Sequence, residues 1–327
     1  MPGASLPVKG LIFRQLFEKE SSTYSYLLAD AENGEGVIID PVLETVRPSP
    51  PPPPCRSEGM TPVAAEESVQ PRPEAICPLN TILLAIIASR IPNMAGRGDS
   101  GSPREGHDKR HFAIEKDPHR TRLPTPPQVA RDGQLAKELG VTLKYGINTH
   151  AHADHITGTC TFKENGDAMQ SVISEASGAA ADVRVKHGDV IKFGRFELEC
   201  RATPGHTDGC MSYVFHEAGM VFTGDALLIR GCGRTDFQQG SSEKLYASIH
   251  GQVFTLPDDY VVYPGHDYKG HTSSTVGEEK RLNPRLTRDL PGFVKFMAEL
   301  NLPPPKKLDA SLPANMRDGC ECAEIMG

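Results

Sequence analysis

The 327-residue chain contains no tryptophan, no long apolar run and no excess of basic charge. The first omission decides nothing about function. The longest apolar run, Ile82 to Ala88, falls far short of the roughly 20 residues a helix needs to cross a bilayer, so no membrane partner is expected. Lys and Arg number 35 against 42 Asp and Glu, for a formal net charge of −7 and no basic stripe. That argues against nucleic acid or another polyanion as a partner. None of the eight cysteines forms a Cys-x-x-Cys pair. Their spacing suggests neither a zinc ribbon nor a disulfide scaffold, and a reducing compartment fits best. Met1 to Lys9 holds one Lys, no Arg and no apolar core, so it supplies little import or secretion signal.

What remains is a chain with 38% hydrophobic and 24% charged residues, a globular composition sufficient for one large or two ordinary domains. Leu11 to Phe17, Tyr24 to Leu28 and Val37 to Ile39 read as strands. From Arg47 to about Gln128 the character changes. Six prolines broken only by Ser49, further Pro and Gly, scattered charge and no sustained period give that stretch a disorder composition. Arg131 to Gly140 then reads as a short amphipathic helix with a Gly stop. Beyond it come a strand at Leu143 to Asn148, a hairpin within Val185 to Ala202, and a strand pair at Met211 to Phe215 and Met220 to Phe222. Helices are expected over Ser241 to Gln252 and Phe293 to Leu300. The segment Thr159 to Asp167 is a poor helix, interrupted by Gly166. Many strands with flanking helices predict an α+β sandwich of two sheets with helices outside.

The most informative stretch is Thr149-His150-Ala151-His152-Ala153-Asp154-His155. It places three imidazoles and a carboxylate just after a strand end. Those are the usual ligands of first-row metals, and a tight loop can aim several at one point. His206, Asp225 and His266 each follow a β-prone segment, and each is preceded by Gly. Any one of them alone would be an ordinary turn residue. The recurrence in one context makes metal chemistry the leading expectation.

The His-x-His-x-Asp-His motif with distant His, Asp and His at strand ends resembles the metallo-β-lactamase fold, an αββα sandwich of two mixed sheets with helices on the outer faces. The run Phe222 to Gly240, with Gly231-Cys232-Gly233-Arg234-Thr235-Asp236-Phe237-Gln238-Gln239-Gly240 at its heart, resembles the persulfide dioxygenase (sulfur dioxygenase) family. So do Asp40 to Thr45, Tyr263 to Tyr268 and Leu282 to Leu286. The resemblance covers residues 8–45 and about 129–318; it makes 1–45 and 129–327 the catalytic domain and 46–128 an insert. It implies one Fe(II) per chain on His150, His206 and Asp225, an arrangement that leaves positions open for substrate and O₂. The implied reaction is oxidation of glutathione persulfide with O₂ to sulfite and glutathione, in mitochondrial sulfide catabolism. His152, Asp154, His155 and His266 would hold a second metal in dinuclear relatives; in a mononuclear enzyme they shape the pocket or orient the ligands, with Asp267 as a supporting partner. Arg234 and Arg285 are candidates for the glutathione carboxylates, and Tyr268 for a hydroxyl donor. Cys232, on the loop after Asp225, is expected to pack rather than react. The resemblance also implies a mitochondrial matrix location and a homodimer, although the weak N-terminal signal leaves a cytoplasmic location open.

Two other readings follow from the same residues. A glyoxalase II-like thioester hydrolase would use two metals and a bridging hydroxide; the Thr235–Gly240 segment and the short chain after His266 argue against it. An inactive isoform or scaffold would follow if the insert spoils the enzyme. Removing Val46 to Gln128 joins Thr45 to Val129 in a family-like junction, and Val and Gln codons can carry the GT and AG of intron ends. Residues 46–128 are therefore read as a translated intron. Transcript sequencing is expected to find those splice letters and a shorter message joining Thr45 to Val129; an exonic sequence without them would remove the idea.

Overall fold

The computed structural model describes residues 8–43 and 127–320; the insert expected over 46–128 lies outside them except for Pro127 and Gln128. The first sheet takes the first six strands in chain order: β1 (Leu11–Glu18), β2 (Thr23–Asp30), β3 (Glu35–Ile39), β4 (Thr142–Ile147), β5 (Gln170–Ser174) and β6 (Val183–Val185). The second takes β7 (Val190–Phe193), β8 (Phe196–Ala202), β9 (Met211–Phe215), β10 (Met220–Gly224), β11 (Val261–Pro264) and β12 (Ser274–Thr275). Both are mixed. β1, β2 and β3 pair antiparallel, then β3 to β6 run parallel. In the second sheet only β10 and β11 are parallel. The α+β sandwich read from the sequence is the observed architecture.

Period-two alternation builds the layers. On β2, Tyr24, Tyr26 and Leu28 face the second sheet and meet Leu198, Tyr213, Phe215 and Phe222. The intervening Leu27 and Ala29 face outward, under Val129 and Ala136 of α1 (Gln128–Glu138) and Phe162 of α2 (Thr159–Glu164). On the second sheet Val214, Val221 and Val262 point the other way. They lie under Leu245 of α3 (Ser242–Ser248), Val276 of α4 (Val276–Leu282) and Phe293 of α5 (Leu290–Ala298). Tyr26 fastens the two sheets, with its ring 5.0 Å from that of Phe222 and its hydroxyl donating to Pro264 O at 2.6 Å. Each large side chain buried this way contributes about 1.5–3 kcal/mol.

Local expectations met three corrections. The segment after the histidine motif does form a short helix, α2, ending where Gly166 takes φ +88°; burial of Phe162 outweighs weak propensity. The helix over Ser241–Gln252 is two pieces, α3 and a π-helical continuation at Ile249–Val253. The cysteines, whose spacing suggests no disulfide scaffold, include a Cys160–Cys320 disulfide. A sequence separation of 160 gives no local spacing signal, and it closes a long loop. On the chain-entropy account such a link is worth about 5 kcal/mol before native strain. A further helix, α6 (Leu308–Asn315), forms in spite of Pro313 inside it.

On α1, Asp132 is buried, accepts from Gln128 Nε2 at 2.7 Å and leaves Oδ2 without a partner. Burial raises its pKa to about 7, against the opposing pull of Arg131. The folded chain therefore holds a proton that the unfolded chain releases near pH 4. Unfolding free energy should fall as pH rises through that window, and the contribution is gone above pH 7. Asp132→Asn is expected to flatten the pH 4–7 dependence of urea unfolding and to stabilise the chain at pH 8.

Candidate metal centre

The site lies where strands of both sheets end. β3 leads into Asp40, β4 into the 149–155 loop, β8 to His206, β10 into Asp225 and β11 to His266. Gly224 takes φ +50°, and a Cβ there would come within 2.3 Å of Thr149 Oγ1. Glycine thus lets the end of β10 close against the histidine loop.

Asp40 organises that loop. It is buried at φ +48°. Its Oδ1 accepts from Thr149 N at 2.7 Å and lies 3.1 Å from His152 Nε2, and its Oδ2 accepts from Thr149 Oγ1 at 2.9 Å. Burial pushes its carboxyl up, but His152 and these hydrogen bonds outweigh that and hold it below the usual range. As an ionised carboxylate can only accept, Nε2 of His152 is the donor.

The same reasoning fixes two more rings. Thr149 Oγ1 has given its proton to Asp40, so it accepts from His150 Nδ1 at 3.0 Å. The lone pair of His150 is then on Nε2, which is buried with no partner. His206 Nδ1 lies 2.7 Å from the carbonyl of Arg234, so it donates and leaves Nε2 open. Gly233 permits that approach, because a Cβ there would lie 2.8 Å from His206 Nδ1. His206 Nε2 stands 3.7 Å from Asp225 Oδ2, too long for a hydrogen bond, and Asp225 Oδ1 is buried without a hydrogen-bond partner. Burial first, then His152 and His206, push His150 well below the ordinary imidazole range, so it stays in the neutral form that binds metals.

His150, His206 and Asp225 each offer an atom within 4.8 Å of the others. His152, Asp154 and His155 form a second such group. His266 bridges the two, with Nε2 3.3 Å from Asp154 and 3.5 Å from Asp225. Burial pulls His266 down, but Asp225, Asp154 and Asp40 outweigh it and raise the ring to about 9. Two imidazoles with Nδ1 committed to protein acceptors, a carboxylate and orphaned buried ligand atoms fit a first-row metal ion.

The other expected residues divide. Tyr268 is exposed, stacks on His266 at 6.0 Å and 6°, and lines an open cavity of about 480 Å³ with Phe17, Lys19, Tyr24 and Asp267. Asp267 accepts from the backbone of Lys269 and His271, shaping the turn that carries Tyr268. Arg234 is engaged with Asp236 and with the carbonyls of Leu302 and Pro303. Arg285 donates to Cys232 O at 2.8 Å. Cys232 packs beside Met297, its thiol raised to about 11 by burial.

Sequence reading missed Asp40 as an organiser, Thr23 between His155 and His266, and Gln238, which donates to Ala151 O at 2.9 Å. For Asp40 the signal was an ionisable residue closing the apolar run Val37-Ile38-Ile39.

Sandwich and histidine cluster define a metallo-β-lactamase fold, and the model of the metallo-beta-lactamase superfamily matches residues 125–266. The chain is 42% identical over 319 residues to persulfide dioxygenase ETHE1, mitochondrial, of Homo sapiens, covering 98% of this chain and 92% of the relative. The crystal structure of ETHE1 from Myxococcus xanthus is 37% identical, with a TM-score of 0.67 over 94% of this chain and 100% of the other. Hydroxyacylglutathione hydrolase GloC of Haemophilus influenzae is 31% identical over 174 residues, covering 47% of this chain and 80% of the relative. The chain belongs to the persulfide dioxygenase family.

Asp40→Asn keeps the size and tolerates the positive φ, but removes the charge that three donors share. It is expected to cost about 3 kcal/mol of unfolding free energy, read as a lower urea midpoint.

Proposed function

We propose that this chain is an iron-dependent persulfide dioxygenase, acting on glutathione persulfide in the mitochondrial matrix with one Fe(II) on His150, His206 and Asp225. The reaction consumes the persulfide, O₂ and water and yields glutathione, sulfite and two protons. The observation that carries the reading is the geometry of the two imidazoles, whose Nδ1 atoms are committed to Thr149 Oγ1 and Arg234 O and which with Asp225 each offer an atom within 4.8 Å of the others. Family membership supports the activity, and the mitochondrial label of the relatives supports the compartment.

When bound, ferrous iron supplies the redox centre at which a soft sulfur anion and O₂ meet, since three protein ligands leave positions free. The chain's own residues do the rest. Thr149 and Arg234 O hold the imidazoles in the ligating tautomer, so no reorientation accompanies binding. Asp154 and Asp225 draw cations to the cluster, and Asp154 is held well below its usual value by His266 and His155 in spite of burial. The cavity beside His266 has the size of a small-molecule site. Lys19 and Tyr268 line it, and a cation and an aromatic ring suit the carboxylates and body of a glutathionyl group. Arg234 acts as a positioning residue, since its guanidinium is bound to Asp236 and two backbone carbonyls while its own carbonyl holds His206.

After anaerobic loading, metal analysis is expected to find one iron per chain, and an oxygen electrode to record O₂ uptake with glutathione persulfide. Asp225→Asn should lower that rate by at least ~100-fold, because removing a ligand removes the centre. Two zinc ions per chain with cleavage of a glutathione thioester, and no O₂ uptake, would establish the hydrolase instead.

A further inference from the structure

The loop from His150 to His155 has no regular secondary structure. Its buried carbonyls therefore need partners from elsewhere. Two of them, His152 O and His155 O, receive the two N–H groups of one side chain, the amide of Asn315 at the end of α6, each at 2.8 Å. The oxygen of that amide accepts from Thr157 N at 2.9 Å. Chemistry fixes its orientation, since a flipped amide would set oxygen against two carbonyls. Asn315 is 3% exposed, so none of these bonds can be exchanged for water. No other side chain of this length offers two coplanar donors and an acceptor.

The surroundings hold the amide in place. Three residues on, Asp318 accepts from Thr159 Oγ1 at 2.8 Å and pairs with Lys163 at 2.7 Å. Cys320 is joined to Cys160. The segment 308–320 is thus bound to the loop by an amide, and to α2, which follows the loop, by an ion pair and a covalent link.

We propose that Asn315 is a positioning residue for the metal. It fixes the curvature of the loop, so that His150 is presented toward His206 and Asp225. The proposal rests on the metal reading above. By reciprocity, a clamp that favours metal binding must itself be tightened when metal binds.

The test measures transfer of Zn²⁺ from the loaded full chain to a chelator, alongside thermal unfolding of the metal-free protein. Asn315→Ala is expected to release the ion at least ~10-fold faster, in the range found for partners that support ligands from behind. Ser311→Ala is the control: Ser311 is fully buried on the same helix, and its hydroxyl has no partner among the described residues. It should release at the parent rate. Asn315→Asp keeps the volume and the acceptor for Thr157 but has no N–H for the two carbonyls, and should behave like Asn315→Ala. If these variants do not fold, hydrogen exchange on the parent decides, since the Thr157 amide should exchange more slowly with Zn²⁺ bound than without. Parent-like release by Asn315→Ala, or equal exchange of Thr157 in both states, overturns the proposal alone. A parent chain that takes up no metal overturns the metal reading and this proposal together.

Discussion

One buried negative charge organises the functional end of this molecule. The Asp40 carboxylate accepts a backbone N–H, a hydroxyl and an imidazole N–H at the junction of β3 and the histidine loop. A buried ion is tolerable only when its lone pairs are filled, and filling them dictates where Thr149 and His152 stand. Thr149 then dictates the tautomer of His150. A local electrostatic requirement is in this way converted into the direction of a ligand lone pair. The cluster of carboxylates and imidazoles on the other side carries the complementary demand, for a cation.

The sandwich supplies the rigidity that this conversion needs. Side chains on alternate positions of β2 reach opposite layers, so the strand is anchored on both faces. The ring contacts among Phe13, Tyr26, Phe222 and Tyr263 bind the two sheets just behind the site. Ligands from β4, β8 and β10 can therefore meet because the sheets that carry them cannot slide.

Much of this was legible in the chain. The strands follow from alternation, and the histidine loop from residue types that bind metals. His150, His206 and Asp225 do converge. The segment Thr235 to Gly240, read only as a family signature, turns out to hold Gln238 against Ala151 O, with Gln238 and Gln239 both at positive φ. What stayed illegible was long-range and polar. Nothing near Asn315 points to carbonyls some 160 positions earlier, and nothing near Cys160 points to Cys320. Hydrogen-bond partners across a fold leave no period, whereas apolar faces do. Arg234, expected as a substrate contact from its charge, has its guanidinium on Asp236 and the carbonyls of Leu302 and Pro303, partners that no sequence spacing announces.

The parallel pairing of β3 with β4, where Ile39 lies opposite Ile147, places the Pro-rich stretch within the crossover that must close before the first sheet can be completed. Lengthening a crossover roughly fivefold raises its closure entropy by only about 1.5 kcal/mol. The native state barely notices such a sum. The kinetics notice it more, because this contact becomes roughly tenfold rarer in the nascent chain while β1, β2 and β3 wait with an unpaired border. Between those two effects, a chain of this design risks association during biogenesis rather than loss of the finished architecture.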